Sequence, residues 1–363
     1  MIYKYFYSEC NEAYFCFKKM TRVLTYPDID PQQWQALVDR SPYATWFQTP
    51  EAYQFYASAP DEMKPFAVGV QCDNKLVGVC VGYITQTKNP LKQFLTRRAI
   101  IIGGPLLDEN ISAEALSALL NTLRRSSCRY SPTLTDINRH SPIYIESRNF
   151  HDYSKWKTIF EQSGFAYQPH LNFHVDTSSV EIVEQNLGKN RKRDIKTSIR
   201  DGATIVEKPT IEQVREYYVL LKELYTTKIK TPLFSFDFFE KLSAHPNGRF
   251  ILVELNGEII GGTVCVELPN RCLYEWFVCG RDGEWKSIFP SSLATYAGIR
   301  YAAEHGCSRF DMMGAGKPEE AYGVRDFKAR FGGELVEHGR FLYVRKPLLY
   351  WIGKMGVKLL KKY

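Results

Sequence analysis

The chain contains the residue types that do most catalytic work, but seldom in the patterns their chemistry requires. His170 and His174, in HLNFH, stand four apart in a segment that reads as a strand, so they share a face. They lack a third ligand and the glutamate of an HExxH helix, and a metal site is not expected. No Gly-x-Ser-x-Gly elbow occurs, and none of the nine cysteines lies in a catalytic signature, which argues against a covalent nucleophile. Gly314-Ala315-Gly316-Lys317 looks like a phosphate loop, yet the GxxxxGK[ST] spacing fails and Pro318 follows the lysine. Asp311 is a lone carboxylate inside the apolar strand RFDMM. An ionised group there is costly unless partnered, so Asp311 either binds a nearby backbone or arginine group or serves as a base.

Positive charge is concentrated in two places. Lys189, Arg191, Lys192, Arg193, Lys196 and Arg200, against Asp194 and Asp201, form a basic stretch in which a helix would put Lys192, Lys196 and Arg200 on one face. Such a run suits the phosphates of a nucleic acid or of a nucleotide- or lipid-linked sugar; it equally suits a solvated helix surface, and no RNA-binding signature accompanies it. The second concentration is the tail, PLLYWIGKMGVKLLKKY. Leu348, Ile352, Met355 and Leu359 fall together on a helical wheel, Lys354, Lys358, Lys361 and Lys362 collect elsewhere, and Trp351 lies near the boundary. That pattern fits a helix in an anionic membrane interface, or a C-terminal helix docked on the rest of the protein.

The whole chain has 363 residues, 44% hydrophobic and 24% charged, with 47 Lys and Arg against 40 Asp and Glu. Disorder and fibrous repeats do not fit that composition, and the length exceeds a single small module. The odd number of cysteines, without CxxC or zinc spacing, reads as reduced thiols of a cytoplasmic protein. No apolar run is long enough for a transmembrane helix. The Tyr-rich leader, residues 1–19, shows no helix or strand period, whereas a regular pattern starts after Met20, which is the expected physiological start.

The elements that must position any site are written twice. A hairpin, FAVGVQCDNKLVGVCVGYI (66 to 84), turns at Asp73-Asn74; another, FILVELNGEIIGGTVCVE (250 to 267), turns at Asn256-Gly257. Each is followed by an apolar strand (98 to 104 and 272 to 280) and an amphipathic helix, the first striped by Leu116, Leu119, Leu120 and Leu123 and the second opened by Pro290. Strands IYIES and RFDMM come next. In both copies a further helix then reaches a glycine nine residues before a phenylalanine: Gly164 to Phe173, and Gly332 to Phe341. The offset between copies is about 170 to 180 residues. Two helical segments precede each hairpin: PQQWQALVDR and EAYQFYAS in the first copy, EIVEQNLGKNRKRDIKTSIRDGA and TIEQVREYYVLLKELYTTKI in the second.

Two helices, a hairpin and two further helices around a curved mixed sheet is the layout of the GNAT acyltransferase fold. The tandem wording resembles the FemAB/FemX-like peptidoglycan-bridge aminoacyltransferase family. WFQTPEAYQFY (46 to 56), IIGGPLL (101 to 107), LGKNRKRDIKTSIRDGA (187 to 203), FDMMG (310 to 314) and YGVRDFKARFGG (322 to 333) carry the resemblance. It implies an α+β protein of two tandem GNAT-like domains, 20–172 and 173–341, with segment 342–363 returning to the first. It also implies amide formation on an amino group of a cell-envelope precursor, with aminoacyl-tRNA or acyl-CoA as co-substrate and no bound cofactor. The long coiled-coil arm of some relatives is absent, so any arm-dependent contact with tRNA is missing. An acyl-CoA or acyl-carrier-protein donor acting on an amino sugar or lipid amine, and a catalytically silent binder of envelope precursors, are the alternatives. A cytoplasmic location, peripheral at the inner face of the membrane, goes with the first reading.

On that resemblance Lys328 is expected to stabilise charge near the acyl carbonyl from the border between core and cleft, with Phe327 and Phe331 facing the core and Phe327 also among the expected substrate-binding residues. Tyr322 and Arg325 are placed to bind a phosphate or carboxylate of the acceptor, or to bridge to Glu319 or Glu320 on the surface. Lys192, Lys196 and Arg200 are the expected substrate-binding cations of the basic stretch. The turn GRDGEWKSIFPSSLATY (280 to 296) has Arg281 and Gly283 but not the full pyrophosphate pattern, and Arg97, Arg98 and Gly103-Gly104 in the first copy are no better. Acetyl-CoA use is therefore not supported by sequence.

Overall fold

The computed structural model describes residues 20–126 and 141–360, so the expectation for the leader lies outside the described residues. Strand β1 (Thr21–Thr25) is followed by helices α1 (Pro31–Arg40) and α2 (Pro50–Ser58), hairpin strands β2 (Met63–Cys72) and β3 (Lys75–Thr85), helix α3 (Pro90–Thr96), strands β4 (Ala99–Gly103) and β5 (Leu106–Leu107), and helix α4 (Ala113–Ser126). After the undescribed segment come β6 (Tyr144–Asn149), α5 (Lys157–Gln162), β7 (Ala166–Gln168) and β8 (Leu171–Asp176). The second half runs α6 (Val180–Asn186), α7 (Lys189–Arg200), β9 (Thr204–Val206), α8 (Ile211–Leu224), α9 (Phe236–Ala244), β10 (Gly248–Leu255), β11 (Glu258–Leu268) and β12 (Cys272–Gly280). It closes with α10 (Pro290–Glu304), β13 (Arg309–Asp311), α11 (Gly323–Ala329), β14 (Glu334–Glu337), β15 (Arg340–Val344) and α12 (Pro347–Leu360).

Local chemistry explains the boundaries. Asp30 and Thr49 accept backbone N–H groups at the starts of α1 and α2, each of which has a proline in its first turn. Thr210 and Gln213 form a reciprocal capping box on α8. The single basic helical stretch expected at 181–203 breaks at Leu187-Gly188 into α6 and α7. Gly188 lies against the Arg330 carbonyl, where an added Cβ would sit at 2.9 Å, so the chain needs glycine to turn there. RFDMM stops being a strand after Asp311, because Met313 takes a positive φ of 51°.

The two sheets exchange their last strands. The first has the order β1-β2-β3-β4-β6-β15-β7, with β5 alongside β3; the second runs β14-β8-β13-β12-β11-β10-β9. Strand β15, from the end of the chain, lies antiparallel between β6 and β7 of the first copy. Strand β8, from the end of the first copy, lies antiparallel between β13 and β14 of the second. Phe173 and Phe341, matched by spacing in the sequence, are thus buried in each other's sheets.

Buried aromatic rings fill the seam. Phe47 meets the Trp276 ring at 5.1 Å and the Tyr274 ring at 5.4 Å, edge to face. Beside them the fully buried Gln48 amide spans β3 and β4, donating to the carbonyls of Val81 (2.9 Å) and Ile102 (2.8 Å) and accepting from the Val81 N–H. Its amide supplies backbone partners that those strands do not give each other there.

Candidate functional site: a cationic cleft between the sheets

A cleft of about 340 Å³ lies between the two halves. Residues of the first sheet form one wall, and β12 with the loop after β13 forms the other. Register places Ile100 beside Glu146, Ile102 beside Arg148, and Arg148 beside Arg340. By strand alternation these side chains share one face, turned away from the core that Ile101, Ile145 and Phe341 build against α4 and α5.

The first wall is electrostatically organised by one carboxylate. Glu146 accepts from Arg148 Nε at 3.0 Å through one oxygen and from Arg340 at 2.8 Å through the other. Burial opposes its charge, but the two guanidiniums outweigh that and hold its pKa at about 2. Arg340 also donates to His170 Nε2 at 2.8 Å. Burial and then Arg340 bring His170 down to about 4, so its imidazole is neutral and accepts that bond. Two guanidiniums against one carboxylate leave net positive charge, and Arg98, also in the cleft wall, adds to it. Trp276, Phe277 and Phe234 supply an aromatic side. Tyr83 completes the cationic corner; burial raises its phenol pKa, so the hydroxyl stays a donor at neutral pH.

The opposite wall is the 312–316 loop, held from behind by expected catalytic residues. Asp311 is fully buried and accepts from Asn172 Nδ2 at 2.7 Å and from the Met313 N–H at 2.8 Å, with His174 Nε2 at 3.2 Å. Burial raises its pKa, but His174, Arg309 and Asn172 outweigh that and bring it to about 2. A carboxylate this acidic and this engaged is a poor proton acceptor near neutrality, so of the two roles open to Asp311 the structure supports the partnered one. Asn172 completes the clamp by accepting from the Gly314 N–H at 2.8 Å.

Lys328 differs from its expected position at the cleft border. It is buried, and its ammonium donates to the carbonyls of Met312 and Gly314. The parallel strands β12 and β13 pair only from Cys272–Arg309 to Tyr274–Asp311. Lys328 fills the space where they part, near Glu275, whose carboxyl accepts from Thr295 and Thr263. Burial lowers the Lys328 pKa against the raising influence of Glu275 and Asp311. The lysine therefore stands behind the cleft wall as a strut for the loop.

None of the other expected ligands lines the cleft. Arg325 does not bridge to Glu319 or Glu320; its guanidinium takes the carbonyls of Ala315 and Lys317, and Lys317 pairs with Glu320 at 3.0 Å instead. Tyr322 is exposed and packs over Gly316. Phe327 meets Phe331 edge-on under the Arg191 guanidinium, which lies 4.6 Å from both rings and is buried inside the basic stretch. Arg200 pairs with Asp201, Lys196 is exposed and Lys192 half-buried on α7, and none of the three lines the cleft. His170 and His174 serve Arg340 and Asp311 separately. Sequence reasoning missed Arg148 and Arg340; the available signal was charge at alternate positions of an apolar strand, Glu146 and Arg148 in IYIESRN.

Some of the backbone that a pyrophosphate would approach is already engaged or covered. The Ser291 N–H at the start of α10 donates to the Asp282 carboxylate at 3.1 Å. In the first half an added Cβ would meet Thr45 at Gly103 and Tyr153 at Gly104, so side chains fill the space against both glycines.

Residues 189–328 match the family model described as an acetyltransferase (GNAT) domain. Together with the paired sheets this defines a tandem GNAT-like fold, α+β as expected. Among solved structures, FemX superposes with a TM-score of 0.66 at 15% identity, covering 91% of this chain and 99% of FemX, so the resemblance read from the sequence is borne out in the fold. L-PGS from Bacillus licheniformis gives 0.54 at 13% identity over 90% of this chain and 96% of its own. A tandem GNAT protein from the clavulanic acid biosynthesis pathway gives 0.54 at 11% over 89% and 98%. A search of curated proteins finds no match.

Proposed function

We propose that the chain transfers an acyl or aminoacyl group to an amino group of an anionic cell-envelope precursor held in the interdomain cleft. The observation that carries this reading is the Arg148–Glu146–Arg340 cluster with Arg98: a preorganised cationic wall with fork geometry suited to phosphate or carboxylate, opposite aromatic rings suited to a sugar or peptide face. Glu146 holds the guanidiniums in place before the ligand arrives, which removes an ordering cost from binding. In the reaction the amine nitrogen bonds to the acyl carbon, the ester or thioester bond breaks, and the proton lost by nitrogen ends on the leaving oxygen or sulfur. No enzyme group has to keep that proton, so catalysis rests on alignment, with Tyr83 donating to the developing oxyanion.

Engagement of the Ser291 N–H by Asp282, together with the incomplete pyrophosphate pattern of that turn, favours an aminoacyl ester over acyl-CoA as donor. A binding-only role draws on a different observation: Asp311, His170 and Lys328 are all engaged, so none of these three is poised as a base. Among the described residues no helix is long and apolar enough to cross a membrane. Radiolabelled aminoacyl-tRNA and acetyl-CoA, each incubated with a muropeptide precursor, separate the readings. Labelled amide from the ester alone supports the proposal. Product from acetyl-CoA alone transfers it to the alternative donor, and tight binding without product leaves only the silent binder.

A further inference from the structure

Helix α12 turns its apolar side outward. Leu348, Trp351, Ile352 and Met355 recur at the i, i+3, i+4, i+7 spacing of a core-facing stripe, yet their exposures are 71%, 60%, 45% and 44%. Its half-buried side is held by Tyr350, edge-on to Tyr144 at 5.3 Å. Helix α3 lies against it and adds Phe94 and Leu95, each 42% exposed, with the Lys346 ammonium 5.7 Å from the Phe94 ring. The result is a two-helix apolar surface from segments far apart in sequence.

The two segments that build this surface carry charge of one sign. Residues 74–107, which contain α3, and 338–363, which contain α12, include no aspartate or glutamate, while lysines and arginines recur through both. Pairing two copies through this face would bring like-charged segments together, whereas an anionic lipid surface complements both the apolar stripe and its cationic surround.

The surface also has a fixed relation to the cleft. Strand β15 runs from Arg340 in the cleft wall to Val344 beside Tyr144, and α12 starts three residues later. Four residues of strand span about 13 Å. Arg98 leaves α3 at this same end of the sheet, because β4 lies parallel to β6. We infer that α3 and α12 together dock the protein on an anionic bilayer and set the arginine wall within reach of a headgroup-borne phosphate, making the acceptor of the proposed reaction lipid-linked. The acceptor class rests on the function proposed above; the docking does not.

The test is flotation of the full chain with vesicles of equal parts phosphatidylglycerol and phosphatidylcholine, beside vesicles of phosphatidylcholine alone. Wild type should float with the anionic vesicles only, and less at high salt. Trp351→Glu with Ile352→Glu, both exposed in the native fold, should cut the bound fraction about tenfold while circular dichroism and turnover on a water-soluble acceptor stay unchanged. A Phe94→Glu variant should act in the same direction. Failure to float, flotation untouched by both variants, or a dimer in sedimentation that the Trp351 variant dissociates would overturn the docking. Flotation by a chain that forms no product would keep the docking and reject the transferase reading. Turnover equally good on soluble and vesicle-borne acceptor would overturn the lipid-linked assignment alone.

Discussion

Arg148 and Arg340, neighbours on adjacent strands although 192 positions apart, hold one carboxylate between them, so each copy of the fold supplies half of the cationic wall. Neither copy has the pair alone.

Substitution of either arginine should be felt in binding. Arg340→Ala and Arg148→Ala are each expected to weaken a diphosphate-bearing precursor about 10- to 100-fold, the range for a lost charge-assisted hydrogen bond. Each should also destabilise the fold by about 3 kcal/mol, because Glu146 loses a buried partner. Lys196→Ala, on the exposed face of α7, should change affinity less than about twofold. Isothermal calorimetry and thermal unfolding read both quantities; equal effects at Arg340 and Lys196 would return the anion site to α7.

Acid should unfold the protein through two identified carboxyls. Glu146 and Asp311 are both held at about 2, below ordinary values of 4.5 and 3.8. The unfolded chain therefore binds more protons in this range, and the stabilisation is complete above the ordinary values and lost as pH falls towards 2. Glu146 should contribute on the order of 3 kcal/mol and Asp311 on the order of 2 kcal/mol. Chemical unfolding between pH 5 and pH 2 should show this slope, and Asp311→Asn should flatten it while lowering stability at neutral pH.

Lys328 should act as a positioning residue. Lys328→Met removes the bonds to Met312 and Gly314, with an expected cost of about 1–3 kcal/mol. Its effect on turnover should come through the 312–316 loop, as a raised KM alongside a lower kcat, and Lys328→Arg should rescue poorly because the buried slot fits one ammonium. A loss confined to kcat, with stability unchanged, would instead support direct contact with the acyl group.

Two glycines separate steric from conformational need. Gly103 has φ of 86° and an added Cβ would lie 2.3 Å from Thr45, so Gly103→Ala should cost about 3 kcal/mol. Gly283 has φ of 94° with nothing within 4 Å, and Gly283→Ala should cost about 1 kcal/mol. Urea unfolding of both variants gives the difference directly.

The hairpins, the helices after them and the Gly-to-Phe spacing were legible because turn chemistry and apolar period are local. What spacing leaves open is which sheet a strand joins: Phe173 and Phe341 stand in equivalent places whether or not their strands exchange. Arg148 was not legible as a site residue because Arg340, its neighbour on β15, is remote in sequence. Lys328 was misplaced for a related reason. In a helix as short as α11, the Phe327–Phe331 spacing said little about rotation, and the buried position went to the lysine because the carbonyls beyond β13 needed a donor.

The strand exchange also bears on the order in which the molecule can be made. While the chain emerges from the ribosome, the first sheet waits with a vacant lane between β6 and β7 until Val344 has been synthesised, and β8 must already have left for a sheet that does not yet exist. The two copies are therefore committed to each other during biosynthesis: a gene cut between them yields two unfinished sheets with open edges, each lacking an inner strand that the other fragment carries.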